Sequence, residues 1–539
     1  MQSNTVRDRL SALDDQLTPL GNVMEELTSR RKRLVLAALC ATMFMAMLDN
    51  VIVNNALPRI GQQLHAGVSG LQWVVEGYSL VYAALLLTGG TLGDRYGRKR
   101  IFLIGLALFT AGSAAAALSG STGPLIAARM LQGLGAALLT PGSLSILRHV
   151  FTDEKERARA VGLWSGVSAL GLAIGPVLGG PMVDRFGWAS VFWINVPIGA
   201  TGLLLAARVL PEFAGRARRV DLPGQLLSAL GFGALVYALI EGPARGWTDT
   251  RVLTLAAAAA VALLAFVMVE LRTTDPMLDL HFFRDPALSG AAVSGFMISF
   301  GMFGASFFLP LLMQDVMGWA PSSAGLAGLP MTAMIVVAAP LSGTLTARCG
   351  PRIPLVTGLT LCAAALGGLS FYGEHARYLE YLWVLLAMGI GMGMTFTPVS
   401  VMVMKRVPLA QAGMASATLN MLREVGGVVG VAALGAVLTS RLAATLTRLL
   451  DRLGVPPETR HGIAVSVAGT GADRTQVLPA PVHDAVDAAF IEGLHLALRC
   501  GGAAMAAAAV LVAVLLRSAS SQAAAPADEP AQQDEPAFQ

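Results

Sequence analysis

The sequence predicts an all-α membrane protein with fourteen transmembrane helices, grouped as two six-helix bundles and two additional helices. Three observations support this prediction: an apolar composition, apolar runs of spanning length, and a loop motif that occurs twice. Of the 539 residues, 55% are hydrophobic and 13% are charged, and the mean hydropathy is +0.63. A soluble chain of this length carries far more charge, so we expect lipid to surround most of the surface.

Each apolar run is long enough to cross a bilayer, which requires roughly 17 to 25 residues. The predicted spans are 34–57, 71–93, 101–119, 124–147, 158–183, 190–210, 222–241, 252–271, 286–313, 322–346, 353–372, 381–404, 413–438 and 490–516. Residues 1–33 contain no apolar segment typical of a cleavable signal peptide, so span one is the expected insertion signal.

Basic residues set the expected orientation, because cytoplasmic loops of membrane proteins collect Lys and Arg. Four basic clusters fall in loops on one side of the membrane: Arg30 to Arg33, Arg95 to Arg100, Arg148 to Arg159 and Arg208 to Arg219. We therefore expect both termini in the cytoplasm and a multi-pass chain in a bacterial cytoplasmic membrane.

The predicted domain boundaries follow from the spans. They are a cytoplasmic tail at 1–33, a first bundle at 34–210, a linker with two extra helices at 211–285, a second bundle at 286–516 with a long outer loop at 440–489, and a cytoplasmic tail at 517–539. The C-terminal tail is rich in Pro, Ala and acidic residues and has too few apolar residues to fold. We expect no chemistry from the tail or the outer loop.

The repeated loop motif gives the number of extra helices. GTLGDRYGRKR at 90–100 joins spans two and three, and the degenerate copy GTLTARCGPR at 343–352 joins spans ten and eleven. Eight spans separate the copies where a six-helix repeat would give six, so two spans are extra, and we assign them to spans seven and eight. Paired bundles of this kind place a substrate site near the membrane midplane between them.

Five segments resemble motifs of the major facilitator superfamily, in particular its fourteen-span drug/proton antiporters, which include bacterial exporters of quaternary ammonium compounds and other drugs. They are LDNVIVNNALP (48–58), the loop at 90–100, RMLQGLGAA (129–137), GLAIGPVLGG (171–180) and FWINVPIG (192–199). Asn50 and Asn55 depart from the pattern of the first segment. The resemblance covers about 34–516 and implies the major facilitator fold and a drug/proton antiporter. The proton gradient would drive it without a cofactor.

Asp49, Glu76 and Arg129 are predicted to share one layer roughly 8 to 12 Å below the outer surface. Each would cost roughly 2.5 to 3.5 kcal/mol at mid-bilayer, so they should face a bundle interior or a wet cavity. Burial and neighbouring charges both shift the pKa of a carboxyl group. We predict that Asp49 and Glu76 exchange protons for substrate while Arg129 tunes their proton affinity. The alternative is a structural network that locks spans one, two and four together.

The loop motif is a candidate gate with five named members: Gly90, Asp94, Arg95, Gly97 and Arg98. Gly90 permits close packing, and Asp94 can accept from the positive N-terminus of a facing helix. The resemblance implies that this helix belongs to the second bundle, so the contact would set the balance between inward-facing and outward-facing states. The alternative is a turn whose basic residues anchor the cytoplasmic side.

Span five contains closely spaced glycines around one proline: Gly171, Gly175, Pro176, Gly179 and Gly180. The glycines let a neighbouring backbone approach closely, and Pro176 bends the helix because it lacks an N–H. The resemblance implies a sealed, bendable contact typical of antiporters, and simple helix packing is the alternative.

Arg423 and Glu424 in span thirteen form a candidate second site. Adjacent residues point about 100° apart on a helix, so these two need not pair with each other. Their partners would lie elsewhere in the second bundle or on the substrate. Flexible Met residues and the aromatic residues near Glu76 would suit a pocket for lipophilic cations.

Several functional classes are disfavoured. The sequence has no Walker A motif, so ATP drive is not expected. The four Cys residues are scattered without a CxxC pattern, so we expect neither a disulfide nor a metal site. We predict a transporter rather than an enzyme, with small-molecule substrate, protons and the lipid bilayer as partners and no nucleic acid. Export of a lipid or a dedicated secondary metabolite stays open, as do nutrient import, a channel or receptor, and an accessory export partner.

Overall fold

A computed structural model describes residues 29–213, 221–273, 278, 280–373, 376–407, 412–457, 459, 460, 463, 467 and 479–523. The first bundle comprises α1 (Ser29–Leu64), α2 (Val68–Tyr96), α3 (Arg98–Ala117), α4 (Thr122–Val150), α5 (Glu154–Phe186) and α6 (Ser190–Val209). The extra helices are α7 (Leu222–Arg245) and α8 (Thr250–Arg272). The second bundle comprises α9 (Pro286–Val316), α10 (Pro321–Cys349), α11 (Arg352–Leu369), α12 (Tyr378–Arg406), α13 (Ala412–Arg452) and α14 (Ala480–Ala523).

The prediction of a fourteen-span, all-α fold is confirmed. Thirteen described helices are long and apolar enough to span a membrane, and the bent helix α5 makes the fourteenth. Aspartates cap the N-termini of four helices, where each carboxylate accepts a hydrogen bond from a first-turn backbone N–H: Asp153, Asp221, Asp249 and Asp285. Such caps satisfy N–H groups that have no partner within the helix.

The predicted outer loop at 440–489 is shorter in the structure, because α13 continues to Arg452 and α14 begins at Ala480. Leu442, Leu446 and Leu450 recur every fourth residue on the extension of α13 and are fully buried. This apolar stripe holds the helix together beyond the membrane, although the intervening charges end the apolar run in the sequence. Helix α1 likewise starts inside the predicted tail at 1–33, and α14 continues into the tail predicted at 517–539. Residues 1–28, 214–220 and 524–539 lie outside the described residues.

Helix α5 bends by about 40° between Leu172 and Ile174. Pro176 lies four residues after Leu172 and has no N–H to donate to the Leu172 carbonyl, which weakens the helix at this point. The helix thus divides into an inner and an outer part, and the glycine-rich segment from Gly171 to Gly180 runs from the bend into the outer part.

Helices α7 and α8 form a hairpin that packs against the side of the bundles. Helix α7 contacts both α2 and α13, and α8 packs against α7. Near its inner end, the Gln225 amide donates to the Ala84 carbonyl on α2. Near its outer end, Glu241 accepts from Ser69 Oγ at 3.0 Å and Trp73 Nε1 at 3.2 Å. Polar contacts therefore fasten α7 to α2 at both ends.

The two bundles meet in the half of the molecule that the predicted orientation places outside. One apolar cluster joins the outer ends of α1, α2, α4 and α5 to the second bundle. The inner half of the first bundle has a separate cluster whose buried members all come from that bundle. Hydrogen bonds between the described parts of the bundles include four in the outer half: Gln62 to Asp315, Gln72 to Val431, Gln314 to Asn55 and Ser322 to Asp184. These contacts close the outer side, and nearer the midplane Ala83 and Leu87 of α2 pack with Met421 and Val425 of α13.

Candidate functional site

Asp49 lies at the centre of a buried polar network in the first bundle. Its side chain is 0% exposed. The carboxylate accepts hydrogen bonds from Arg129 Nη1 at 2.6 Å, Asn195 Nδ2 at 2.6 Å and Gln132 Nε2 at 3.2 Å. These donors come from α4 and α6, so one carboxylate from α1 connects three helices. A charge in such surroundings is tolerated because it is both paired and hydrogen-bonded.

Arg129 uses its remaining donors to hold the same network. Its Nε donates to the Val74 carbonyl of α2 at 3.0 Å, and Nη1 also donates to Gln132 Oε1 at 3.0 Å. The guanidinium lies 4.6 Å from the centre of the Tyr78 ring and 5.7 Å from that of Phe192. Both rings are buried and add cation–π attraction. Arg129 therefore ties α2, α4 and α6 to Asp49, as the predicted structural network would require.

Two members of this network were not identified as site residues from the sequence. Gln132 donates to Asp49 and to Ser113 Oγ at 2.7 Å, and Asn195 donates to Asp49. Both lie in segments that carried the family resemblance, RMLQGLGAA and FWINVPIG. A polar amide inside an otherwise apolar span was the available signal, since such a group needs a buried partner.

Glu76 does not join the Asp49 and Arg129 pair, although the sequence analysis placed all three in one layer. It lies one helical turn from Gln72, whose amide donates to the Val431 carbonyl of α13 at 3.0 Å. That face of α2 points to α7 and α13, whereas Val74, bound by Arg129, faces α4. The prediction matched depth along the helix but did not consider the direction of the side chain around its axis.

Arg423 and Glu424 point in different directions, as their spacing predicts. The guanidinium of Arg423 lies 4.3 Å from the centre of the Phe396 ring on α12, inside the second bundle. Glu424 is partly exposed and lies within electrostatic range of Tyr82 on α2. Among the described residues, Glu424 has no ion-pair partner. It is therefore an acidic group without a salt bridge where the two bundles face each other, with Arg423 as the nearest cation.

The glycine-rich motif of α5 packs against two different helices. Methyl groups added at Gly171, Gly175 and Gly179 would lie 2.7 Å, 3.0 Å and 2.8 Å from the nearest atoms of α1. A methyl group at Gly180 would lie 2.3 Å from the Pro321 carbonyl oxygen of α10. Three glycines thus pack within the first bundle, and Gly180 forms part of the outer closure between the bundles.

The α10 side of this closure has its own glycine. A methyl group at Gly325 would lie 2.1 Å from the Pro176 carbonyl oxygen, and Asn55 Nδ2 donates to the same carbonyl at 2.7 Å. The Leu172 carbonyl has no helical N–H partner, because Pro176 stands four residues later and lacks an N–H. The Pro176 carbonyl in turn accepts the hydrogen bond from Asn55 of α1. The bend and the closure therefore depend on the same proline.

The loop motif contacts its own bundle in this conformation. Asp94 pairs with Arg98 Nη2 at 2.5 Å, and Arg95 lies exposed on the Tyr96 ring. Gly97 has a φ of +102°, and a methyl group there would lie 2.6 Å from Glu212 Oε1, so the position requires glycine. No contact of Asp94 with the second bundle is found among the described residues, so the contact predicted for the gate stays a prediction.

The close packing predicted for Gly90 is found at Gly89 instead. A methyl group at Gly90 would make an ordinary 3.6 Å contact with Pro141, whereas one at Gly89 would lie 2.1 Å from the Ala137 carbonyl oxygen. The expectation for Gly90 was wrong by one residue, because the motif alone does not show which glycine faces α4.

The chain matches the Major Facilitator Superfamily over residues 39–431. It is 40% identical to the multidrug resistance protein Stp of Mycobacterium tuberculosis over 89% of this chain and 91% of that protein. It is 36% identical to the tetracenomycin C resistance and export protein of Streptomyces glaucescens, over 87% of this chain and 88% of the other. A bacterial homologue of the human lysosomal transporter Spinster has a similar fold, with a TM-score of 0.64 and 18% identity over 92% of this chain and 99% of that structure.

Among the described residues, no group of three or more His, Cys, Asp or Glu side chains could hold a metal ion.

Proposed function

Since this chain belongs to the Major Facilitator Superfamily of membrane transporters, we propose that it is a proton-coupled efflux transporter of the bacterial cytoplasmic membrane. It would export lipophilic cationic drugs or antibiotics in exchange for protons. The names of its relatives, which are resistance and export proteins, support efflux as the direction of transport. A proton moving inward yields about 2.3 kcal/mol per charge per 100 mV, which is sufficient to drive an exchange of this kind.

The acidic group at the interface between the bundles is the main observation behind this proposal. Glu424 forms no salt bridge among the described residues, its nearest cation being the neighbouring Arg423, and Tyr78 and Tyr82 lie within its electrostatic range across the interface. A carboxylate beside aromatic faces is a suitable site for a lipophilic cation, since rings stabilise cations in apolar surroundings. A proton and a cation would compete for this carboxylate, which provides a means of exchange.

Asp49 and Arg129 would supply the response of the helices to a proton. The ion pair is fully buried, so protonation of Asp49 would leave the guanidinium without its counter-charge. An uncompensated buried charge is strongly destabilising, and the network that connects α1, α2, α4 and α6 would rearrange. Arg129 would in this way tune the proton affinity of Asp49 and couple it to helix packing.

Drug–proton exchange in everted vesicles tests the proposal. Vesicles are acidified by respiration, and a pH-sensitive dye reports proton release when a quaternary ammonium drug is added. We expect proton release with the wild type and at least a tenfold loss with Glu424→Gln, while Glu492→Gln should retain the wild-type signal. Glu492 is a matched control because it pairs with Arg441 in the outer extension and lies outside the interface. Full exchange by Glu424→Gln would contradict a role for Glu424.

A dedicated self-resistance exporter is the second candidate, which similarity to the tetracenomycin C resistance and export protein favours. Growth of a pump-deficient host on a drug panel separates the two. Protection against several unrelated cations supports multidrug export, and protection against a single compound supports self-resistance. Protection against none would favour a lipid or a nutrient as the substrate.

A further inference from the structure

Arg499 on α14 is an exposed cation without an acidic partner among the described residues. Its Nε donates a hydrogen bond to Ser370 Oγ at 3.2 Å, and its Nη1 and Nη2 groups form no hydrogen bond with the other residues that the structure describes. By contrast, Arg441 and Arg448 both pair with Glu492, two turns further out on the same helix. Arg499 therefore retains donors that a ligand can use.

The length of α14 places Arg499 at a boundary of the membrane. The helix is apolar from Gly501 to Leu516, and Arg517 follows directly. Eighteen residues lead from Arg499 to Arg517, a rise of about 27 Å, which is close to the roughly 30 Å thickness of the hydrocarbon core. The Arg499 guanidinium thus lies at the level of the phospholipid headgroups, on the side that the predicted orientation places outside.

Aromatic side chains lie beside Arg499 at this boundary. The guanidinium carbon is 6.0 Å from the centre of the Phe371 ring, and Phe371 is 78% exposed. Trp383 is half-exposed, and its indole N–H donates to the Tyr372 hydroxyl at 2.9 Å. Tryptophan and tyrosine are enriched at the level of the headgroups, so these residues are typical of a surface that faces lipid.

Two contacts hold the loop that carries Phe371 against α14. Ser370 follows the last residue of α11 and accepts the hydrogen bond from Arg499. One turn further out, His495 Nε2 lies 2.9 Å from the Tyr372 carbonyl oxygen. The loop and the helix therefore present Phe371 and Arg499 side by side, and a ligand needs little rearrangement to bind there.

From Arg499 toward the middle of the membrane, α14 has an exposed apolar face. Ala503, Ala506 and Val510 are exposed and recur at helical spacing in line with Arg499. In a bilayer this face contacts acyl chains. A molecule with an anionic head and a hydrocarbon chain can therefore lie along α14 with its head at Arg499.

We propose that Arg499 binds the phosphate of an anionic phospholipid, such as phosphatidylglycerol, at the membrane boundary of the second bundle. A planar guanidinium can donate two parallel hydrogen bonds to one phosphate. A zwitterionic lipid binds less well, because its ammonium group repels the guanidinium. The bound lipid would cover Phe371 and extend along α14. This site requires only insertion into a membrane, so it does not depend on the proposed drug–proton exchange.

Quenching of Trp383 by brominated lipids tests the site, because bromine quenches an indole only at short range. A full-length variant keeps Trp383 and has Phe at the other six of the seven tryptophans. It is reconstituted in phosphatidylcholine vesicles that contain a small fraction of brominated phosphatidylglycerol or brominated phosphatidylcholine. We expect phosphatidylglycerol to be enriched beside Trp383 about fivefold, the effect of one basic residue at an anionic headgroup. Arg499→Gln should abolish this preference.

A matched control and a second measurement make the result specific. Arg452→Gln removes an exposed arginine from the outer end of α13, away from the apolar face of α14, and should keep the preference. If the six substitutions prevent folding, the quenching that is lost on Trp383→Phe in the otherwise native chain reports the same site. Equal quenching by the two lipids, or an unchanged preference in Arg499→Gln, would overturn the proposal.

Inorganic phosphate in the buffer separates a lipid from a free anion as the ligand. The acyl chains hold the lipid along α14, so millimolar phosphate should leave the preference for phosphatidylglycerol unchanged. Loss of the preference would instead indicate a site for a free anion and overturn the lipid site. Both leaflets contain the quencher and no drug is present, so each result is independent of orientation and of transport.

Discussion

At the scale of single residues, the pair formed by Asp49 and Arg129 has both a structural and a proposed coupling role. The two side chains are 0% and 1% exposed and lie 2.6 Å apart. Such a pair contributes little net stability compared with apolar residues, yet removing one partner costs roughly 3 to 5 kcal/mol because the other charge is left buried. The pair is therefore stable only while both charges are present, which is the property a proton-sensitive contact requires.

Asp49→Asn should separate these two roles. The substitution keeps the shape of the side chain but leaves Arg129 without a counter-charge, so we expect a loss of about 3 to 5 kcal/mol in stability and the loss of proton-driven export. Thermal unfolding in detergent and drug uptake into everted vesicles measure the two effects. The double variant Asp49→Asn with Arg129→Gln should recover most of the stability and none of the transport. Full transport by Asp49→Asn would contradict a coupling role.

At the scale of elements, helix α5 combines a bend with a closure. Its glycines approach α1 on one face and α10 on another, and Pro176 provides both the bend and a carbonyl acceptor for Asn55. The structure therefore contains both features that were considered for this motif, namely tight packing within the bundle and a contact between bundles. Gly180 is the position at which they can be separated, because its closest contact belongs to the second bundle.

Gly180→Val should open the outer side. Its side chain would overlap the Pro321 carbonyl, since even a methyl group would lie 2.3 Å away. We expect a longer distance between spin labels at Ser121→Cys and Leu453→Cys, which are exposed positions on the two bundles, and at least a fivefold decrease in drug export. Gly166→Val is the matched control on the same helix, because no atom lies within 4 Å of a methyl group there. Equal effects of the two substitutions would show that side-chain volume at Gly180 does not control closure.

The sequence predicted helices well and contacts between helices less well. Apolar length determined the fourteen spans, but it ended α13 too early because the leucine stripe from Leu442 to Leu450 is interrupted by charges. Motifs identified Asp49 and Arg129, which pair, while depth alone did not show that Glu76 lies on another face of α2. The direction of a side chain around its helix depends on which neighbours pack there, and spacing within one helix does not specify those neighbours.

At the scale of the whole molecule, the described hydrogen bonds between the bundles lie on the outer side, given the predicted orientation. The hairpin of α7 and α8 is attached to α2, so we expect it to move with the first bundle while α13 slides against it. In this state Asp94 pairs with Arg98, and both side chains are partly exposed. An exposed pair of this kind contributes only about 0.2 to 1 kcal/mol, so Asp94 can exchange Arg98 for another partner when the inner ends approach.

Asp94→Asn should therefore shift the conformational balance toward the inward-open state. The outward-facing state would lose the charge that we expect to face a helix N-terminus of the second bundle, whereas the inward-open state loses only an exposed ion pair. Spin labels at Thr152→Cys and the native Cys349, both exposed on the inner side, should report a larger population of long distances. Arg98→Gln removes the same ion pair and leaves Asp94 free to bind across the interface, so it should increase the short-distance population. Shifts in the same direction for both variants would contradict a gate in which Asp94 changes partners.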